Sequence, residues 1–330
     1  MKITLKRRRL SSSQIILLGF LGVIASGTIL LMLPWARAGA GSAPFLDALF
    51  TATSATCVTG LITNDTATYW SVFGQTVILC LIQVGGLGVI TVAIFITRLS
   101  GRKIGLMQRS TMQEAIAAPQ MGGIVRMTGF ILKMVVVIEA LGAAALLPAM
   151  IPEFGIVRGI WYAVFHSISS FCNAGFDLMG VKEPYSSLTS YTGDVAVNVI
   201  VMVLIVVGGI GFLTWDDVKR NRFHLRRYRM QSKVVLTVTA VLIVLPAVFF
   251  YWKEFGMPGW EDMSVGERIL ASFFQSVTTR TAGYNTVDLT QLTQSGQMIM
   301  ILLMLIGGSP GSTAGGMKVT TLAVLFATAV

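Results

Sequence analysis

Long apolar runs alternate with short polar segments along the whole chain. Runs able to cross a hydrocarbon layer of roughly 30 Å as helices lie near residues 14–34, 74–97, 125–151, 194–214 and 232–252, and a sixth, from about 291, is interrupted by glycines. Between them stand apolar stretches of intermediate length, 44–56, 156–171 and 265–279, too short to span. A helix of that length that enters the bilayer must turn back, and its non-helical return is tolerated only where protein or a water-filled cavity surrounds it. The pattern predicts an all-α membrane protein made of repeated units: spanning helix, re-entrant pore helix, extended loop, spanning helix.

The repeat is visible in the residues. Each intermediate stretch runs into a glycine (Gly60, Gly175, Gly283), with a Phe ten positions earlier (Phe50, Phe165, Phe273), an Ala twelve earlier (Ala48, Ala163, Ala271) and a small residue directly before it (Thr59, Ala174, Ala282). The glycines recur at intervals of 115 and 108 residues, which divides the chain into a basic N-terminus 1–13 and units 14–108, 109–223 and 224–330. A fourth copy would place its glycine beyond Val330, so the expectation is three units, with the fourth absent from this sequence.

Composition agrees with the apolar runs. Only 12% of residues are charged, 54% are hydrophobic, and the mean hydropathy is +0.74, which excludes a soluble domain. The formal net charge of +10 is distributed by loop. Basic residues crowd the N-terminus (Lys2, Lys6, Arg7, Arg8, Arg9), the loop after the second run (Arg98, Arg102, Lys103, Arg109, Arg126) and the loop after the fourth (Lys219 to Lys233), while acids such as Asp47, Asp65, Glu153, Asp177 and Asp288 fill the alternate segments. By the positive-inside rule the N-terminus is cytoplasmic and all three glycine motifs open outward. The charge is thus explained by topology and anionic headgroups, not by nucleic acid. The first run starts like a signal peptide but continues past the usual length without a small-residue cleavage site, so it reads as a retained helix. The three cysteines show no metal spacing; Cys57 and Cys172 share an offset that Arg280 fills in the third copy, and Cys80 reads as a small buried hydrophobe.

Two consequences follow at the glycine motifs. The C-terminal end of a helix carries partial negative charge, so short helices aimed at one axis favour a cation at their focus. The residues after them, Val58-Thr59-Gly60, Asn173-Ala174-Gly175 and Thr281-Ala282-Gly283, can offer backbone carbonyls in place of a hydration shell, glycine permitting the dihedral angles required. No ring of acids stands there, only Asp177, so the site suits a monovalent cation rather than calcium. A single glycine after a short helix would be a C-cap. Three in register favour a pore. Serines and threonines close each short helix (Thr53, Ser54; Ser167, Ser169, Ser170; Thr278, Thr279), as its polar end requires.

A second glycine feature recurs in the following helix of each unit: Gly85-Gly86 before Gly88, Gly208-Gly209 before Gly211, and Gly307-Gly308 before Gly311. In the first two copies close helix packing is the expected reason. The third runs on through Gly307, Gly308, Ser309, Pro310, Gly311, Ser312, Thr313, Ala314, Gly315 and Gly316, which cannot remain a regular helix in mid-span. It is expected to be an irregular intramembrane loop beneath the filter, able to occlude the path and move. A nucleotide-binding reading fails, because the string lacks the Gly-Lys-Ser/Thr ending and follows a membrane helix instead of a strand.

Four strings carry a family resemblance: Thr53-Ser-Ala-Thr-Cys-Val-Thr-Gly-Leu61, Ser170-Phe-Cys-Asn-Ala-Gly-Phe-Asp177, Thr279-Arg-Thr-Ala-Gly-Tyr-Asn-Thr286 and Gly308-Ser-Pro-Gly-Ser-Thr-Ala-Gly-Gly-Met-Lys318. The chain resembles the membrane subunit of a Ktr-type potassium transporter, in the Trk/Ktr/HKT superfamily, over essentially its whole length. The resemblance implies a pseudo-fourfold pore of four helix–pore-loop–helix units, one filter glycine per unit and an intramembrane gating loop in the third. It also implies a homodimer in the plasma membrane and a cytosolic nucleotide-binding RCK ring as regulatory partner. Potassium is then the transported ion, its uptake often sodium-dependent, with no covalent cofactor and no enzymatic activity. By carry-over, Gly60, Gly175 and Gly283 are filter glycines, Gly308 to Gly316 form the gating loop, and Lys318 takes part in gating.

Single residues admit more than one reading. Glu139, in the third run, is a functional acid or a structural one, protonated or paired. Arg280 either fixes its loop through backbone carbonyls, the favoured reading, or raises a barrier to ions. His166 reads as a hydrogen-bonded packing residue, and the basic loop 219–233 as a headgroup-facing surface or a dock for an acidic partner. Competing functions are a midplane-binding secondary transporter, disfavoured because its repeats would be inverted, and a truncated, non-conducting fragment or interaction subunit.

Overall fold

The computed structural model describes residues 11–89, 91–93, 105–116, 123–222 and 224–329. The basic cluster Lys2 to Arg9, the residues Arg98, Arg102 and Lys103, the end of the second apolar run and Val330 lie outside them.

Eleven helices of ten residues or more carry the described chain: α1 Ser12–Leu31, α2 Phe45–Cys57, α3 Val72–Leu87, α4 Leu106–Ile116, α5 Ile124–Phe171, α6 Val195–Gly209, α7 Phe212–Asn221, α8 Met230–Phe249, α9 Val265–Thr278, α10 Gln294–Leu305 and α11 Val319–Ala329. Local signals set several boundaries. Ser11 and Gln14 close a capping box on α1, so that helix begins inside the segment expected to be N-terminal tail. Ser264 and Glu267 do the same for α9. Although α5 is continuous by hydrogen bonding, Gly155 (φ 77°, ψ 172°) breaks it into a long helix, 124–154, and a short one, 156–171, at the boundary expected from hydropathy. Helix α4 runs across the expected unit boundary at 108/109 and packs on both α1 and α5.

By length and composition α1, α5 and α8 with its π-helical end can cross a membrane; α6 and α7 pass the same test only together, bent by 97°. The glycine pairs of the first two units do pack closely: a Cβ on Gly85 would stand 2.0 Å from Thr56 O and one on Gly208 2.0 Å from Phe171 O. Gly88 (φ 82°) caps α3 and Gly211 (φ 87°) separates α6 from α7, whereas the corresponding helix of the third unit, α10, ends at Leu305, ahead of the Gly-rich segment. These angles lie where a Cβ is disfavoured.

The core follows from the packing of short helices inside long ones. One apolar cluster joins the first two units through Ile78, Ile82, Val135, Phe165 and Phe171 and takes in Phe274 and Tyr284 of the third. A smaller one, with Phe250, Phe255 and Met300, belongs to the third unit. Leu17, Leu18 and Leu21 on α1 and Val244 and Leu245 on α8 are exposed. Such contiguous apolar surface on spanning helices faces lipid. Cys80, expected to be buried, is exposed on α3, where a thiol is apolar enough for the same surroundings.

Candidate functional site

The three short helices α2, 156–171 and α9 all run into a residue in the left-handed region: Val58 (φ 56°), Asn173 (φ 56°) and Thr281 (φ 63°). Two positions later each loop reaches its glycine, again at positive φ: Gly60 (76°), Gly175 (69°) and Gly283 (85°). Asparagine adopts a left-handed conformation readily, but nothing in the aligned valine and threonine announces one, and for β-branched residues it is strained. The closing turns of the short helices impose it. The amide of Val58 bonds Ala55 O at 3.3 Å, that of Asn173 bonds Ser170 O at 3.1 Å, and Ala282 N returns to Thr278 O at 2.9 Å.

The loops meet. A Cβ on Gly60 would stand 2.7 Å from the carbonyl oxygen of Ala174, and one on Gly175 would stand 2.4 Å from that of Ala282 and 3.1 Å from the Cα of Gly283. Backbone therefore touches backbone, first segment to second and second to third, and Ala174 and Ala282 turn their carbonyls toward the preceding segment. Gly60, Gly175 and Gly283 are thus brought together, with Thr59, Ala174 and Ala282 beside them.

Hydroxyls behind the loops hold this shape. Ser169 donates to Phe176 O at 2.7 Å, Thr278 to Tyr284 O at 2.7 Å, and Thr59 to Ser54 Oγ at 2.9 Å. The Tyr284 hydroxyl donates to Phe176 O at 3.1 Å and ties the third loop to the second. His166, buried, pairs Nδ1 with Tyr162 O at 2.8 Å and accepts Leu178 N–H on Nε2 at 3.3 Å, so it braces the second loop beyond its glycine. That network assigns the neutral Nδ1–H tautomer. Asp65 caps the turn at Thr66–Tyr69 and accepts Tyr185 N–H at 3.2 Å, linking units one and two.

Asp177 lies past Gly175, outside the spanning helices. Burial pushes its carboxyl up to about 6, the Met179 N–H bond opposing this and nearby Asp65 adding to it.

Beneath the loops lies the Gly-rich segment. Gly307 N–H bonds Met317 O at 2.9 Å and Gly308 N–H bonds Gly315 O at 3.3 Å, so residues 307–317 close on themselves. Ser312 donates to Ser309 O at 2.6 Å, and the Lys318 ammonium reaches Ala314 O at 2.8 Å, which fastens the loop's end. Gly311 (φ 63°) sits against Ile116 O of α4, Pro310 O faces Gly211, and Gly316 (φ 69°) would touch Thr281 Cγ2 at 3.4 Å if it carried a Cβ. The loop thus packs against the break between α6 and α7 and against the third glycine loop.

Of the ambiguous residues, Glu139 is buried and accepts Gln83 Nε2–H at 3.1 Å on one carboxylate oxygen, the other having no partner among the described residues. Arg280 is 3% exposed, yet its Nε and Nη2 make no hydrogen bond among the described residues, so the bracing expected of those two nitrogens is not seen. Among the described residues no cluster of three or more His, Cys, Asp or Glu side chains could hold a metal ion.

Broken helices that lower short helices and bare backbone into a lipid-facing bundle define a multi-pass membrane transport protein. The family described as "TrkH: Cation transport protein" matches residues 6–330, and the chain belongs to it. It is 42% identical over 97% of its length to the potassium/sodium uptake protein NtpJ of Enterococcus hirae, covering 69% of that protein. It is 39% identical over 96% of its length to the Ktr system potassium uptake protein B of Bacillus subtilis, covering 70%. The potassium transporter TrkH from Vibrio parahaemolyticus has the same fold, with a TM-score of 0.71 at 19% identity, over 97% of this chain and 62% of that one.

Proposed function

We propose that the chain forms the permeation part of a potassium-uptake transporter. Val58-Thr59-Gly60, Asn173-Ala174-Gly175 and Thr281-Ala282-Gly283 supply filter carbonyls, and Gly307 to Gly316 with Lys318 act as its gate. The single observation that carries this reading is the backbone contact among the three glycine loops, each set by a left-handed residue two positions before its glycine. Carbonyl groups brought together at the C-terminal ends of short helices replace water around a weakly hydrated monovalent cation. The similar proteins named for potassium or potassium/sodium uptake support the choice of ion. In the same reading the glycine loops face outward, the N-terminus is cytoplasmic, sodium assists or accompanies potassium, and the protein works as a homodimer on a cytosolic nucleotide-binding RCK ring.

The test is potassium uptake at limiting external potassium in cells stripped of their own uptake systems. Uptake with the wild-type chain that disappears with Gly60→Ser is the expected result. No uptake by wild-type protein that reaches the membrane folded would sink the reading.

A further inference from the structure

The second filter segment differs from the other two in what lies beneath it. Thr313, from the middle of the Gly-rich loop, directs its hydroxyl to Phe171 O at 2.9 Å and to Asn173 Oδ1 at 3.0 Å. Phe171 ends the second pore helix, so its carbonyl is one that a helix leaves without an internal partner. Asn173 is the left-handed residue that starts the second filter segment. Its amide nitrogen lies 3.4 Å from Ile205 O and 3.4 Å from Arg280 O, the residue before the third filter segment. One side chain therefore joins the loop, helix α6 and two filter segments, and both Asn173 and Thr313 are buried.

The approach is possible because α6 presents bare backbone. A Cβ on Gly208 would stand 2.0 Å from Phe171 O and 2.7 Å from Thr313 Oγ1. In the same place Ser309 N–H bonds Gly209 O at 2.9 Å and Thr313 N–H bonds Gly208 O at 3.3 Å. The loop is thus docked by its backbone and inserts one hydroxyl to the filter's inner end.

We propose that Thr313 and Asn173 form a latch through which the docked Gly-rich loop holds the second and third filter segments in the shape that discriminates potassium from sodium. This rests on the reading of the glycine loops as a filter. Both are positioning residues, acting through the backbone of residues 171–175 and 280. When the loop leaves, Phe171 O loses its cap and Asn173 loses the acceptor contact that orients its amide. Ion choice then changes together with ion flow. A loop that only obstructs the path would alter flow alone.

The experiment compares potassium and sodium flux through the full chain in proteoliposomes. Thr313→Val removes the hydroxyl at nearly constant shape, and Asn173→Gly removes the amide while keeping the left-handed backbone accessible. Each is expected to lower the potassium-to-sodium permeability ratio roughly tenfold, the equivalent of one buried hydrogen bond. The double variant should be no worse than either single one, because the two act as a unit. Thr313→Ser, which keeps the hydroxyl, should restore the ratio. An unchanged ratio in Thr313→Val with altered flux, or additive losses in the double variant, overturns the latch alone. If Thr313→Val does not accumulate as folded protein, Asn173→Gly decides, and an unchanged ratio there overturns it. Wild-type chain that passes no potassium overturns the filter reading and this proposal with it.

Discussion

The carbonyl oxygen of Ala282 lies 2.4 Å from the point where a side chain on Gly175 would begin. No Cβ fits at that distance, and the φ of 69° at Gly175 disfavours one independently. Gly175→Ala should push the second and third glycine loops apart and lower potassium over sodium uptake at least tenfold, since about 1–2 kcal/mol of backbone strain adds to the clash. Uptake of each ion in the same cells checks this. A variant with wild-type selectivity would show that the loops do not need their close approach.

Much of this arrangement is legible along the chain, and the reason is local. The limits of the short helices are written by caps and breakers: Pro44 before α2, Gly155 before 156–171, and Ser264 with Glu267 at α9. The glycines at positive φ are likewise marked by their residue type. What escapes is set by contacts distant in sequence. Val58 and Thr281 carry no signal for a left-handed backbone, because β-branched residues usually avoid it and only the closing turn of the pore helix enforces it. The breaks at Gly88 and Gly211 have only a weak local signal, because their flanks are apolar on both sides. The contact of Thr313 with Phe171 joins residues 142 apart and has no local signature.

Asp177, two residues past Gly175, is expected to make the protein sensitive to pH. Burial raises its carboxyl from 3.8 to about 6, so the folded chain holds that proton more tightly than the unfolded one. Its contribution to stability is therefore full below about pH 4 and is lost as pH rises through about 6. Acidifying purified protein from about pH 7 to about pH 5 should raise the melting temperature by an increment that Asp177→Asn lacks. Over the same interval the segment past Gly175 loses a negative charge, and, if that segment lines the proposed path, uptake at limiting potassium should fall several-fold in wild type while staying flat in the variant. A pH profile identical in the two would rule out Asp177 as its source.

Two glycines within helices separate packing from propensity. Gly208 has Phe171 O 2.0 Å from its missing Cβ, whereas Gly22 on α1 has nothing within 4 Å. Gly208→Ala is expected to destabilise the protein by about 1–3 kcal/mol through overpacking and to dislodge the Gly-rich loop. Gly22→Ala should leave uptake unchanged and stabilise by roughly 0.5–1 kcal/mol, alanine being the better helix former. Melting curves in detergent, read beside uptake, compare the two. Equal responses would mean that the close approach of α6 to the second pore helix contributes nothing.

Glu254 anchors the helix that leads into the Gly-rich loop. It is fully buried at the end of the π-helical turn Phe250–Glu254, and its carboxylate accepts Thr293 N–H at 2.8 Å and the Thr293 hydroxyl at 2.7 Å. Thr293 in turn caps α10 by accepting Gly296 N–H at 3.1 Å. Gly296 has no room for a side chain, since its Cβ would lie 2.3 Å from Glu254 Oε2. Removing the carboxylate strands a buried amide and hydroxyl together, so Glu254→Ala should cost about 1–3 kcal/mol and lower the melting temperature. Glu254→Gln keeps an acceptor in place and should recover most of that loss. Because α10 ends at Leu305, two residues before the loop begins at Gly307, the alanine variant should also raise protease cleavage within 307–316. Cleavage unchanged from wild type would show that the start of α10 and the loop are held independently.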